Sequence, residues 1–527
     1  MRPMRTINIA DWTVLGLYGA VLASIALYHS RKMLAQDDFY LASRSMRRWP
    51  IALSMYVAVF STNSFLGVTG WVNRPNGTVW IGLIQVGVIL AVPLVIALYP
   101  SIFFRLRITT AYEYLERRFN YLVRAFAAQL FLGARIMWLS TMIYAASLVA
   151  SRMAGLAQVH AILLVGGMGT FLSMAGGMHA VIWTDVLQFF VLFIGVAVMV
   201  TVAVGQSGGL AEAIRTGLDA GKFAPPMVFS LTEELTIASA LMLGIFGYLG
   251  TAGADQVVLQ TYLSAKSESE AKKSLLRNGM FLKPLSLIFP MLGWLLFVYF
   301  RKHPESAAYM RIPDDAVPVF VTQVMPSGAR GLVIAAILSA VLTGVESGLS
   351  ALSACVQVDY VRRLRRQPLS NRDSVVLARA LVLGWGIAAT TGALFVRTMG
   401  AKSNILQILN RVMYPLSGVL LGIFLLGLLT RRANAPGALI GAAAGFIVTI
   451  AGPMSQWILA VSGGAPAALV AALRQLGRVS SFYYASLGAL STFVFGYLAS
   501  IPFASPGSHQ LIGLSHAAPR VAAVVKQ

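Results

Sequence analysis

The stretch SAVLTGVESGLSALSACVQVDYVRR, residues 339–363, places Thr343, Glu346 and Ser347 within two helical turns of an otherwise apolar run. Positions three and four apart share one helix face, so these oxygens would line up together. Clustered oxygens of this kind suit a hard cation. A carboxylate at membrane depth is costly unless it is paired, ion-bound or protonated. Two further apolar runs are interrupted by polar or small residues. IALSMYVAVFSTNSFLGVTGWV carries Ser61, Thr62, Asn63 and Ser64 at its centre, and LMLGIFGYLGTAGADQVVLQ carries Gly247, Gly250 and Gly253 ahead of Asp255. Arg135 stands well inside FLGARIMWLSTMIYAASL. A guanidinium there needs an anion, either the carboxylate of a bound solute or an acid of the protein.

The elements that must position these groups are apolar helices. Of 527 residues, 57% are hydrophobic and only 11% charged, whereas a soluble chain carries charge on about a quarter. The apolar residues fall in blocks of about 20, the length a helix needs to cross the hydrocarbon core. The fold class expected is therefore an all-α polytopic membrane protein. The net charge of +22 sits in short loops between the blocks, a pattern of membrane topology rather than of a nucleic-acid groove. Cys355 is the only cysteine, which excludes an intramolecular disulfide and a cysteine metal site. The N-terminus has no small-residue cleavage site, so the first block is expected to be retained.

Thirteen candidate spans are counted: 8–29, 49–72, 79–104, 123–150, 157–177, 180–205, 235–259, 279–300, 330–358, 374–397, 404–429, 436–457 and 481–502. They are called segments one to thirteen below. Arginine and lysine crowd alternate loops, such as Arg31 to Arg48, Arg105 to Arg118, Lys266 to Arg277 and Arg362 to Arg372. Positive charge stays cytoplasmic, which puts the N-terminus outside and the C-terminus inside. The chain divides into one membrane domain, 1–505, and a short cytoplasmic tail, 506–527, expected to be poorly ordered. The loop 206–234, with GQSGG and APP, is expected to form a small cap.

The interrupted segments two and seven lie five apart, as expected of two inverted five-helix repeats whose broken helices meet at a binding site. The plainer alternative is that small residues merely let helices pack closely. With these elements in place, several motifs become recognisable. DDFYLASRSM, TAYEYLERRFN, WTDVLQ, DQVVLQTYLSAKSESEAKK and VDYVRR resemble, in order and spacing, the sodium:solute symporter family of sodium/glucose, sodium/proline and sodium/sialic acid transporters. The resemblance runs from about residue 8 to 450. It implies a LeuT-type 5+5 inverted repeat with one extra N-terminal and two extra C-terminal helices.

The resemblance also implies ion sites. A first sodium would lie between the break of segment two and segment nine, held by the carbonyls of Val57 and Phe60 and by the face of Ala340, Thr343 and Gly344. Relatives usually carry a hydroxyl where this chain has Gly344, so one ligand is missing. A second ion or proton site would use Asp185, Thr343, Glu346 and Ser347, with Glu346 in a position where serine is usual. Two acids facing one cavity would hold a cation or share a proton. The alternatives are a partner for Glu346 such as Arg135, or a wet helix face. For Asp185 the alternative is a charge at a helix N-terminus.

Matched positions place Ser61, Ser64, Gln85 and Tyr248 at a midplane solute cavity. Lys283 stands where the sugar transporters carry a lysine near substrate, the alternative being that it snorkels to the cytoplasmic face. Thr251 takes the place of an inner aromatic gate. Arg135 matches the arginine that the sialic acid transporters use for the substrate carboxylate, with internal pairing the alternative. The function expected is sodium-coupled import of a small polar solute, an organic acid or acidic sugar such as sialic acid. The coupling ion is sodium and no cofactor is expected. No ATP-binding motif is present, and the protein is not expected to be an enzyme. Proton coupling and a neutral-sugar substrate remain alternatives. So does a transporter-like sensor, against which the absence of a signalling domain after segment thirteen counts. The expected setting is the inner membrane of a bacterium, with lipid as surroundings, no nucleic-acid partner and a monomer as the working unit.

Overall fold

In a computed structural model of the chain, the described residues are 7–517 apart from 32, 34, 61–62, 366, 368, 399–403 and 462–466. Among them the secondary structure is helical, and the only sheet-like pairing is one isolated bridge, Met46 to Ala265. Among the described residues, eight helices are long and apolar enough to cross a membrane, or nine if one bent pair is a single span. Two shorter apolar helices, Pro415–Leu429 and Ala435–Ala451, follow.

The helix Ala329–Cys355 is the axis of the molecule: 89% of its apolar window is buried, against 50% or less for the other candidate spans. Small residues let its neighbours approach. Gly195 packs on Ala336, and Gly169 on Val345. At one end Asp11, on the helix Ile9–Ser30, accepts the Gly328 and Gly331 N–H groups at 2.8 and 2.9 Å and pairs with Arg330 at 3.0 Å. These bonds tie segment one to the start of segment nine and satisfy the first orphan donors of the axial helix.

Segments five and six form one run, Gln158–Gln206, of 49 residues. A single helix of that length would span about 74 Å, more than twice the hydrocarbon thickness. The run instead divides at Gly177, whose φ of 54° and ψ of −164° belong to a region open essentially to glycine.

Both interrupted segments are broken. Segment two is helical over Arg48–Ala58, leaves the helix at Val59 and Phe60, and resumes through a wide turn at Asn63–Gly67 into Val68–Asn73. Segment seven runs Ile237–Gly253 and Gln256–Leu263, bent by 58°. The bend sits at Ala254 and Asp255 rather than at the glycines. Asp255 caps the second half, accepting the Val257 N–H at 2.9 Å. Gly253 is required because the Tyr99 ring fills the space of a β-carbon.

The loop 206–234 does fold, with a helix at Leu210–Asp219. It is pinned by Lys222, whose ammonium donates to the carbonyls of Arg74 at 2.7 Å and Gly77 at 3.1 Å. The tail corrects the expectation of disorder over its described part. His516 Nε2 meets the Leu98 carbonyl at 2.9 Å, and the His516 N–H donates to Leu428 O at 2.8 Å. Ser515 Oγ donates to Leu428 O and Thr430 O, and Leu514 O accepts from Tyr114 OH at 2.9 Å. These carbonyls at Leu98, Leu428 and Thr430 end helices and lack intrahelical donors, so a polar tail supplies what the helix ends need. Residues 518–527 lie outside the described residues.

Candidate functional site

The break in segment two turns backbone oxygens towards the axial helix. Thr343 Oγ1 donates to the Val57 carbonyl at 3.0 Å, and the same carbonyl accepts the Phe60 N–H at 3.0 Å. Val57, Phe60 and Ala340 are buried in one apolar cluster around this junction. A cation here would find two oxygens, the Thr343 hydroxyl and the Val57 carbonyl, already in register. Position 344 is crowded: a β-carbon on Gly344 would lie 2.9 Å from Met142 Cε and 3.3 Å from Trp138 Cη2. Segment four therefore occupies the volume that a hydroxyl-bearing side chain would need.

The second cluster is built from segments two, six and nine. Glu346, fully buried, accepts from Thr184 Oγ1 at 2.8 Å and from Gln188 Nε2 at 3.2 Å. Asp185, also fully buried, accepts from Ser54 Oγ at 2.5 Å. Asp185 Oδ1 and Ser347 Oγ are buried with no hydrogen-bond partner among the described residues. Two orphaned oxygens beside a second carboxylate are a donor set that a bound cation or proton would complete. Thr184, Gln188 and Ser54 escaped notice in the sequence. The first two were visible in principle, since they flank Asp185 by one and three positions. Ser54 was not, because nothing local links it to Asp185.

Ser64, Gln85, Tyr248 and Lys283 line a cavity of about 440 Å³, together with Phe60, Trp138, Thr251 and Phe289. That volume fits a small solute. Tyr248 OH donates to Asn278 Oδ1 at 3.2 Å, and Gln85 Oε1 is buried without a partner. Ser61 lies outside the described residues. A second cavity of about 290 Å³ is lined by Arg135, Asp255, Phe131 and Ser417. The two cavities share Val59, Ser64, Trp138, Thr251 and Met413. They adjoin through these shared residues, and the two together form the passage.

Arg135 belongs to the smaller cavity. Its guanidinium pairs with Asp255 of the second break and lies 4.7 Å over the Trp138 ring and 5.5 Å over Phe131. Its partner is thus Asp255 and not Glu346. Asp255 could have been suspected as the partner from its place directly after the glycines of segment seven.

A model of the sodium:solute symporter family matches residues 39–445. The sodium/sialic acid symporter NanT of Aliivibrio fischeri is 27% identical over 487 residues, 92% of this chain and 91% of that protein. The sodium/sialic acid symporter SiaT of Proteus mirabilis is 27% identical over 496 residues, 94% and 95% of the two chains. Among solved structures, the substrate-bound outward-open state of a Na+-coupled sialic acid symporter superposes with a TM-score of 0.82. Its identity is 26%, over 94% of this chain and 99% of that one.

Proposed function

The chain belongs to the sodium:solute symporter family, and from that premise we propose that it is an integral membrane symporter that couples sodium entry to import of an organic acid such as sialic acid. The observation that carries the reading is the Thr343 hydroxyl held at 3.0 Å from the Val57 carbonyl. It joins the axial helix to the break of segment two at the junction where a sodium would bind. Binding there would draw the two segments together and shape the adjoining cavity of about 440 Å³ for solute. Such coupling is reciprocal, so solute also raises sodium affinity. One charge moving down 100 mV contributes about 2.3 kcal/mol, without any nucleotide or cofactor. Val57, Phe60, Ala340 and Thr343 form the sodium site in this proposal, with Gly344 contributing backbone alone. Asp185, Thr343, Glu346 and Ser347 form the second ion site, and Ser61, Ser64, Gln85, Tyr248 and Lys283 face the solute.

The same proposal includes thirteen spans, with segments five and six counted separately and the broken segment two and the two shorter apolar helices included. The repeat is the inverted 5+5 type, with residues 1–505 in the membrane, the N-terminus outside and the arginine-rich loops in the cytoplasm. The setting is a bacterial inner membrane, and the working unit is a monomer in lipid. Proton coupling is the second reading, favoured by Gly344 and by the buried Glu346.

The test is uptake of radiolabelled sialic acid into vesicles holding the purified chain, with sodium and pH gradients imposed separately. Sodium-driven uptake is expected. Uptake indifferent to sodium at every pH would defeat sodium coupling, and uptake driven by the pH gradient alone would establish the second reading.

A further inference from the structure

Two cations line the passage, and their surroundings differ. Arg135 is already matched: Asp255 neutralises it, and Trp138 and Phe131 cover its faces. Lys283 has no such match. Among the described residues it makes no ion pair, and its ammonium lies 5.1 Å from the Tyr56 ring. None of the described residues lining its cavity is an acid. Lys283 itself lines the larger cavity, together with Tyr248 and Ser286.

The local backbone explains how it is aimed. Pro284 lacks an N–H, and the helix widens over Asn278–Leu282 before tightening over Lys283–Leu287. Ser286, three positions on, bonds Tyr56 OH at 2.7 Å, which fixes the turn against segment two. Among the described residues, a cation lining a cavity without an acid, with the unpartnered Gln85 Oε1 on its wall, is left without a counter-ion from the protein.

We propose that Lys283, rather than Arg135, is the residue that selects an acidic solute, by taking its carboxylate in the larger cavity. This inference rests on the transport reading above and deepens it. An ammonium–carboxylate contact in a desolvated cavity favours the acid over an uncharged analogue by about 10- to 100-fold. The glycines and aromatics around it fit the rest of the solute and do not distinguish charge.

The test compares sialic acid with its methyl ester as solutes for sodium-driven uptake by the full chain in vesicles. The readout is the ratio of ester KM to acid KM. In the unaltered protein the ratio is expected to exceed about 10. Lys283→Met should bring it to near 1, and Lys283→Arg should restore most of it. A sodium-induced thermal shift retained in Lys283→Met would show that the variant is folded. If Lys283→Met keeps the ratio and Arg135→Gln abolishes it, Arg135 is the selector and the proposal falls. If the unaltered chain takes up neither compound in response to sodium, the transport reading fails and this inference with it.

Discussion

Breaking the Arg135–Asp255 pair from either side should have unequal consequences. Arg135 is 8% exposed, and without Asp255 it would retain only the faces of Trp138 and Phe131. A buried charge stripped of its partner costs about 3–5 kcal/mol, which the ring contacts reduce by about 1. Asp255→Asn should therefore destabilise by about 2–4 kcal/mol. Asp255 is better provided for: its side chain is 27% exposed, and its other oxygen accepts the Val257 N–H at 2.9 Å at a helix N-terminus. The helix dipole favours a carboxylate there, so Arg135→Gln should cost only about 1–2 kcal/mol. The double variant removes both charges and should recover about 1–3 kcal/mol relative to additivity. For a chain of this length, 1 kcal/mol corresponds to roughly 1 °C in midpoint. Thermal midpoints of the four proteins in detergent, at low and high salt, would measure the cycle. A larger loss for Arg135→Gln, or strictly additive losses, would refute the reasoning and mean that the pair is not formed.

Thr343→Val should raise the half-saturating sodium concentration for uptake about 10- to 100-fold, while Thr343→Ser stays within about threefold, because only the hydroxyl next to Val57 matters. Gly344→Ser should tighten sodium binding if the 2.9 Å contact with the flexible end of Met142 relaxes, and pairing it with Met142→Ala should enhance the gain; titration of sodium against thermal midpoint would show it, and no gain in the pair would count against the missing-ligand argument. Asp314, in a connecting loop, has its carboxyl raised to about 6 by burial, with Arg74 opposing and Asp315 reinforcing the shift. The folded state thus holds its proton longer than the unfolded state, so stability is full below about pH 4 and is lost as pH rises through 6, by about 3 kcal/mol. Asp314→Asn should flatten that slope and stabilise the protein at neutral pH, as midpoints measured from pH 4 to 7.5 would reveal.

The helical class and the two broken segments were legible because hydropathy and glycine clusters are local signals. The position of the second break was not. Asp255 moved it, since an N-cap carboxylate defines a helix start more sharply than glycines define a helix end. The turn between segments five and six was legible too, since segment five ends at 177 and the chain turns at Gly177, though only the dihedral angles show which of the neighbouring glycines turns. The hydroxyl face of segment nine could be seen in its spacing. The partner of Asp185 could not, because the bond from Ser54 crosses 131 residues of sequence with no local signal at its far end. The docked tail was misjudged because composition reports polarity but not which helix ends lie within reach.

The tail also imposes an order of events on the making of the protein. Tyr114 OH and Leu514 O are 400 residues apart in the chain, and at about 5–20 residues per second roughly 20–80 s of translation separate the two groups. The Leu98 carbonyl waits throughout that interval for His516, whereas Leu428 and Thr430 are made only about 85 residues before Ser515, their partner in the tail. The arginine-rich face of the molecule is therefore a keystone structure. Its helices are made first, and it is closed last by the segment from Leu514 to His516.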